Sequence, residues 1–143
     1  MSTPALTYFL ALVRFETDLW NLVEKRISTA PLTLGRYLVL TAVEAVPECR
    51  VQDIANSVGS TVGAVSRLID RLEGDGLVAR IPHPKDRRSS LIRLEPRAVL
   101  AVETTKPILE QGIADAVATI ESTELAATAA RLTEHHRAVR SRA

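Results

Sequence analysis

Between Thr61 and Arg71 the chain sets compact residues, Thr61, Val62, Gly63, Ala64 and Ser66, ahead of two arginines, Arg67 and Arg71. Four positions are about one helical turn, so both guanidiniums leave the same face. A guanidinium fork donates paired hydrogen bonds to phosphate oxygens or guanine edges, and small neighbours let the backbone come close. Further on, Lys85, Asp86, Arg87 and Arg88 cluster within the polar run from Pro82 to Ser90. Residues 50–93 hold eight Lys/Arg against five Asp/Glu, a local +3 in a chain of formal net charge +1. This pattern fits a confined polyanion-binding surface. The plainer reading pairs Arg67 and Arg71 with Asp70, Glu73 or Asp75 on a solvated helix, and leaves Asp86 and Arg88 as ordinary loop charges.

Other chemistry is thinly supplied. The single cysteine, Cys49, cannot form an internal disulfide or build a metal centre alone, and it is read as an inert thiol. His83 is read as solvated; His135 and His136 are adjacent, so on a helix they diverge by about 100° and do not chelate. No nucleophile–base pair, glycine-rich phosphate loop or metal-ligand spacing is present, which excludes an enzyme; no cofactor and no metal are expected. The five aromatic residues, Tyr8, Phe9, Phe15, Trp20 and Tyr37, all fall in the first two helical segments. They either fill a core and an interface or wall a pocket for a small aromatic or phenolic ligand. In the second reading Trp20 and Tyr37 form the wall, and Arg14 or Arg36 meets an anionic group.

Elements to position these residues follow from periodicity. Residues 5–28 read as a helix that is apolar on two sides; Thr33 caps a helix over 34–46, and a short helix covers 51–58 before Gly59-Ser60. Thr61 caps a helix over 62–74, which ends at Asp75-Gly76. Strands are expected at 77–81 and 91–94, joined by a long exposed loop over 82–90. A heptad-like stripe from Val99 to Ile120 marks a long helix over 97–120, bent at Pro107, and Ser122 or Thr123 caps a last helix to about residue 140. No apolar run approaches the roughly 18–20 residues that span a bilayer. The stretch Leu6–Val13 lacks a basic lead and is followed by Arg14, Glu16 and Asp18, so a cytoplasmic location without membrane contact is expected.

Two short helices joined by a tight turn and followed by a basic hairpin form a winged helix-turn-helix. The fold class expected is mainly α with a small β-hairpin wing and N- and C-terminal dimerisation helices. It is one domain over 1–143, with the DNA-binding lobe at 32–95 and dimerisation helices at 1–31 and 96–143. The second helix of the pair suits a major groove about 12 Å wide. A wing arginine suits a narrow minor groove.

The segments Ile54-Ala55-Asn56-Ser57-Val58-Gly59, Ala64-Val65-Ser66-Arg67-Leu68-Ile69-Asp70-Arg71-Leu72-Glu73, Gly76-Leu77-Val78-Ala79-Arg80 and Asp86-Arg87-Arg88 resemble the MarR (multiple-antibiotic-resistance regulator) family. The likeness runs from about Leu32 to Leu94. It implies an obligate homodimer on palindromic operator DNA, with Asp86 steadying the wing and Arg88 reaching the minor groove. The chain departs from the family at Leu94-Glu95-Pro96-Arg97-Ala98, where a Leu-Thr…Gly pattern is common, and at Arg36, where glutamine is common. The function expected is a sequence-specific transcriptional repressor released by a small lipophilic, anionic ligand. The alternative is a winged-helix dimer that serves as a protein–protein scaffold without specific DNA readout.

Overall fold

A computed structural model describes residues 1–142. Six helices and one hairpin follow in the order α1 (Pro4–Arg26), α2 (Leu34–Ala45), α3 (Val51–Val58), α4 (Val62–Gly74), β1 (Val78–His83), β2 (Asp86–Leu94), α5 (Pro96–Ala116) and α6 (Ser122–Arg140). The expected threonine caps are present: the Thr33 hydroxyl accepts from Arg36 N at 3.3 Å and the Thr61 hydroxyl from Ala64 N at 3.2 Å. The α2 start has a second anchor that the sequence did not suggest. Leu34 N donates to the Glu24 carboxylate, 3.1 Å from Oε2, which ties α1 to α2. Gly59 and Gly76 end α3 and the α4 turn with φ of 68° and 73°, a region that costs other residues strain.

The hairpin departs most from expectation. Its strands run to His83 and from Asp86, so only Pro84 and Lys85 lie between them, and most of the expected 82–90 loop is paired. The register is Val78↔Leu94 through Pro82↔Ser90, then shifts so that His83 faces Asp86. A two-stranded ribbon projecting into solvent needs no apolar alternation, so polar residues there masked the strands. At its root, Ile92 N donates to Cys49 O at 2.7 Å and fixes the hairpin to the loop before α3.

The ends of the long helices also move. α5 begins at Pro96, whose ring sets φ for a first helical turn, continues through Pro107 and stops at Ala116 rather than Ile120. Ser122 is the first residue of α6 and Glu121 its cap, without a side-chain cap bond, so neither Ser122 nor Thr123 plays the capping role.

Two apolar clusters hold these elements. The larger gathers Leu40, Ile54, Val65, Ile69, Leu72, Val78 and Ala98 from α2, α3, α4, β1 and α5. The smaller joins Val23, Ile27, Leu34 and Leu109 between α1, α2 and α5, and Tyr37 packs against both. α6 buries none of its residues. Among the described residues no helix is long and apolar enough to cross a membrane.

Candidate nucleic-acid interface

α4 is oriented by what it buries. Val65, Ile69 and Leu72 face the core, which turns Gly63, Arg67 and Arg71 to solvent; Thr61 and Val62 are exposed at the N-terminal end of the helix, and Ala64 and Ser66 are half-buried. The carboxylates that the plainer reading assigned to the two arginines are engaged elsewhere. Asp70 Oδ1 accepts from Arg80 Nη2 at 2.6 Å, Glu73 Oε2 accepts from Arg80 N at 3.0 Å, and Asp75 Oδ2 lies 2.7 Å from Arg36 Nη2. Arg67 and Arg71 make no ion pair among the described residues; Arg71 Nε reaches only Arg67 O, at 3.5 Å. An exposed cation without an internal carboxylate partner remains available to a phosphate.

Arg80 therefore does two things. It joins β1 to α4 and removes the acidic neighbours of Arg67 and Arg71 from competition. The pair is partly exposed and contributes at most about 1 kcal/mol to stability; its larger effect is on which charges stay free. The sequence carried Arg80 inside the Gly76–Arg80 motif but gave it no partner, because the ten positions between Asp70 and Arg80 close up only in the fold.

At the wing, Lys85, Arg87 and Arg88 are exposed and Asp86 is half-buried. Asp86 Oδ1 accepts from Arg88 N at 3.0 Å, and its other oxygen lies 3.9 Å from Arg50 Nη1. Arg50 was counted within the basic segment without a role, yet it reaches from the N-cap of α3 to the hairpin. Gly63, Arg67 and Arg71 thus share the exposed face of α4, Thr61 and Val62 are exposed at its N-terminal end, and Lys85, Arg87 and Arg88 are exposed on the hairpin.

The four residues expected to form one ligand pocket do not converge. Trp20 lines an apolar groove of about 550 Å³ with Phe15, Leu19, Leu34, Leu38 and Leu132. Arg36 lies on a different cavity of about 340 Å³, with Asp75 and Arg97. Tyr37 sits between the two clusters, and Arg14 is exposed on α1. Cys49 is 2% exposed, and burial, followed by the charge of Asp53, pushes its pKa up to about 11. It is a protonated thiol at neutral pH, a poor nucleophile. Among the described residues no group of three or more His, Cys, Asp or Glu is placed to hold a metal ion.

Residues 32–90 match the model of the MarR family. The multiple antibiotic resistance protein MarR of Escherichia coli (strain K12) is 26% identical over 110 residues, covering 71% of this chain and 76% of that protein. Bordetella bronchiseptica BpsR, in a structure concerned with regulation of its DNA binding by 6-hydroxynicotinic acid, superposes with a TM-score of 0.84 at 23% identity, over 95% of this chain and 97% of its own. A cysteine-to-serine mutant of E. coli MarR complexed with operator DNA gives a TM-score of 0.78 at 20% identity, over 92% and 93%. At these identities the structural likeness establishes the fold.

Proposed function

We propose that the chain is a member of the MarR family, whose model its residues 32–90 match, and that it is a sequence-specific repressor that binds a palindromic operator as a homodimer. The family's members are regulators and not enzymes. In this reading residues 32–95 form the DNA-binding lobe, and residues 1–31 and 96–143 the dimerisation helices. Thr61, Val62, Gly63, Ala64, Ser66, Arg67 and Arg71 meet the major groove; Lys85, Arg87 and Arg88 follow the backbone and the adjacent minor groove, with Asp86 holding the tip. The observation that carries the proposal is the diversion of Asp70, Glu73 and Asp75 to Arg80 and Arg36, which leaves Arg67 and Arg71 unpaired on the exposed face of α4. A scaffold with no DNA to bind gains nothing from two uncompensated cations there.

Selection from random duplex DNA tests this directly. A recovered consensus with two-fold symmetry, lost on Arg67→Ala, is the expected result. Recovery of no consensus, with binding no better than to bulk DNA, overturns it.

Release by a small lipophilic, anionic ligand completes the proposal. The groove beside Trp20 offers the apolar part of such a site, and BpsR provides a relative whose DNA binding is regulated by an aromatic acid. A ligand acts only through a difference in affinity between the DNA-bound and free arrangements, typically about 1–3 kcal/mol of coupling. Aromatic acids titrated into the protein–DNA complex should dissociate it, and Trp20→Ala should abolish release while DNA binding persists. No dissociation at about millimolar concentration, a coupling too weak to count, sinks the ligand half alone.

A further inference from the structure

The wing tip is tied to the helix-turn-helix by one side chain. Arg50 is the N-cap of α3, and its backbone N–H donates to Asp53 Oδ2 at 2.8 Å, so its main chain is fixed independently of its guanidinium. From there Nη2 lies 2.9 Å from His83 Nε2 and Nη1 3.9 Å from Asp86 Oδ2. The far sides of both partners hold the tip itself. His83 Nδ1 accepts from Lys85 N at 3.1 Å, and Asp86 Oδ1 accepts from Arg88 N at 3.0 Å. Through Asp86, Arg50 is thus one side chain removed from the backbone of Arg88, while the neutral His83 ring accepts from either Arg50 or Lys85 N and not from both. The register shift between Pro82 and His83 falls at this point, and an irregularity of that kind commonly re-aims a side chain.

We propose that Arg50 is a positioning residue for DNA binding, holding the wing tip through His83 and Asp86, and that protonation of His83 releases it. The inference rests on the reading of the wing as a DNA contact.

The hydrogen-bond inventory makes the His83 joint sensitive to protons. A guanidinium nitrogen and a backbone N–H can only donate, so both ring nitrogens face donors. A neutral imidazole has one unprotonated nitrogen and accepts from one of the two. An imidazolium accepts from neither and sets a second cation against Arg50. The charged residues that meet His83 are Arg50 at the start of α3, Lys85 at the tip through its backbone N–H, and Asp86 opposite on β2, with Asp53 bonded to the Arg50 main chain. Asp53 is engaged by the Arg50 main chain, which leaves Asp86 as the carboxylate able to oppose the repulsion. With the ring charged, the tip is held by the long and half-exposed Arg50–Asp86 pair, which contributes little in water.

Two readouts test the latch and separate it from the DNA reading. The first is amide NMR on the protein alone, following the order of Lys85 and Arg88 from about pH 8 to about pH 5.5. The wild-type tip should be ordered at the high end and lose order as His83 titrates. Arg50→Gln should be disordered throughout, and His83→Asn, which accepts from Arg50 without titrating, ordered throughout. The second readout is affinity for a duplex selected with the wild-type protein at high pH. Wild type should lose affinity on acidification by about threefold more than His83→Asn, while Arg50→Lys restores part of the pH dependence that Arg50→Gln removes. Tip amides indifferent to Arg50→Gln, or one pH profile shared by wild type, Arg50→Gln and His83→Asn, would overturn the proposal. A tip that behaves as expected on a protein that selects no duplex would keep the latch and sink the wing's role on DNA.

Discussion

Thr105 lies in the middle of α5, fully buried, and its hydroxyl has no hydrogen-bond partner among the described residues. An unsatisfied buried hydroxyl costs free energy that a methyl group of the same shape does not. Thr105→Val should therefore stabilise the fold by about 1 kcal/mol, read as a rise of roughly 2–4 °C in melting temperature. No rise would mean that the hydroxyl finds a partner in solution. Cys49 sets a different dependence. Above the ordinary thiol value of 9.0 the unfolded chain gives up its proton, while the folded chain keeps it to about 11. Unfolding then releases a proton, so stability falls as pH climbs from 9 towards 11 and is untouched below. Denaturant titrations across that range should show this loss in wild type and not in Cys49→Ala; matched slopes would contradict the burial argument. Arg88 belongs to the surface chemistry. Arg88→Ala should weaken binding to a selected duplex by about 1–3 kcal/mol, most on A·T-rich flanks, whereas Lys85→Ala should mainly reduce the salt dependence.

Among the elements, α4 carries the sharpest trade between stability and contact. Gly63 stands in its first turn, and a Cβ built there meets nothing within 4 Å. Gly63→Ala should raise stability by a few tenths to about 1 kcal/mol, because the helix gains propensity at no steric cost. If the backbone there lies against a DNA groove, the same methyl group should lower affinity for the selected duplex. Raised stability with unchanged affinity would show that the helix does not approach so closely. Helices α1 to α5 were legible in the sequence because each buries apolar residues, and several begin or end on residues with a physical reason to be there; α6 buries none and showed only its heptad spacing. Thr33 and Thr61 start α2 and α4, and Gly59 and Gly76 follow α3 and α4. The strands were half legible: Val78 and Ile92 are buried in the core and Leu94 packs against it, while the outer rungs carry Pro82, His83 and a polar run whose pairing leaves no hydrophobic trace. The exposed cations of the site could be placed on their elements, but not their freedom. That depends on Asp70 meeting Arg80, Asp75 meeting Arg36 and Asp86 meeting Arg50, pairings 10 to 39 positions apart that only the packed chain creates.

On the scale of the whole molecule, the apolar surface left open is the feature that a single chain cannot account for. Phe9, Phe15, Leu100 and Val139 are 60%, 50%, 65% and 70% exposed, on α1, α5 and α6, and α6 buries nothing. Monomeric proteins rarely leave contiguous apolar patches beyond a few hundred Å². A two-fold interface between the terminal helices of two copies would cover this surface, burying about 2,000 Å² or more in all. Light scattering at micromolar concentration should then give twice the 15.6 kDa chain mass, and Phe9→Glu with Val139→Glu should return the single-chain value. The consequence for DNA is geometric. Two copies of α4 related by a two-fold axis read half-sites about one turn, 10–10.5 bp, apart, so insertion of about half a turn between the half-sites should abolish the gain from the second lobe. The double glutamate variant, reading one half-site at a time, should bind the intact and the spaced duplex alike. A monodisperse wild-type protein at the single-chain mass, or wild-type affinity indifferent to the inserted half-turn, would remove the symmetric dimer as the unit that reads DNA.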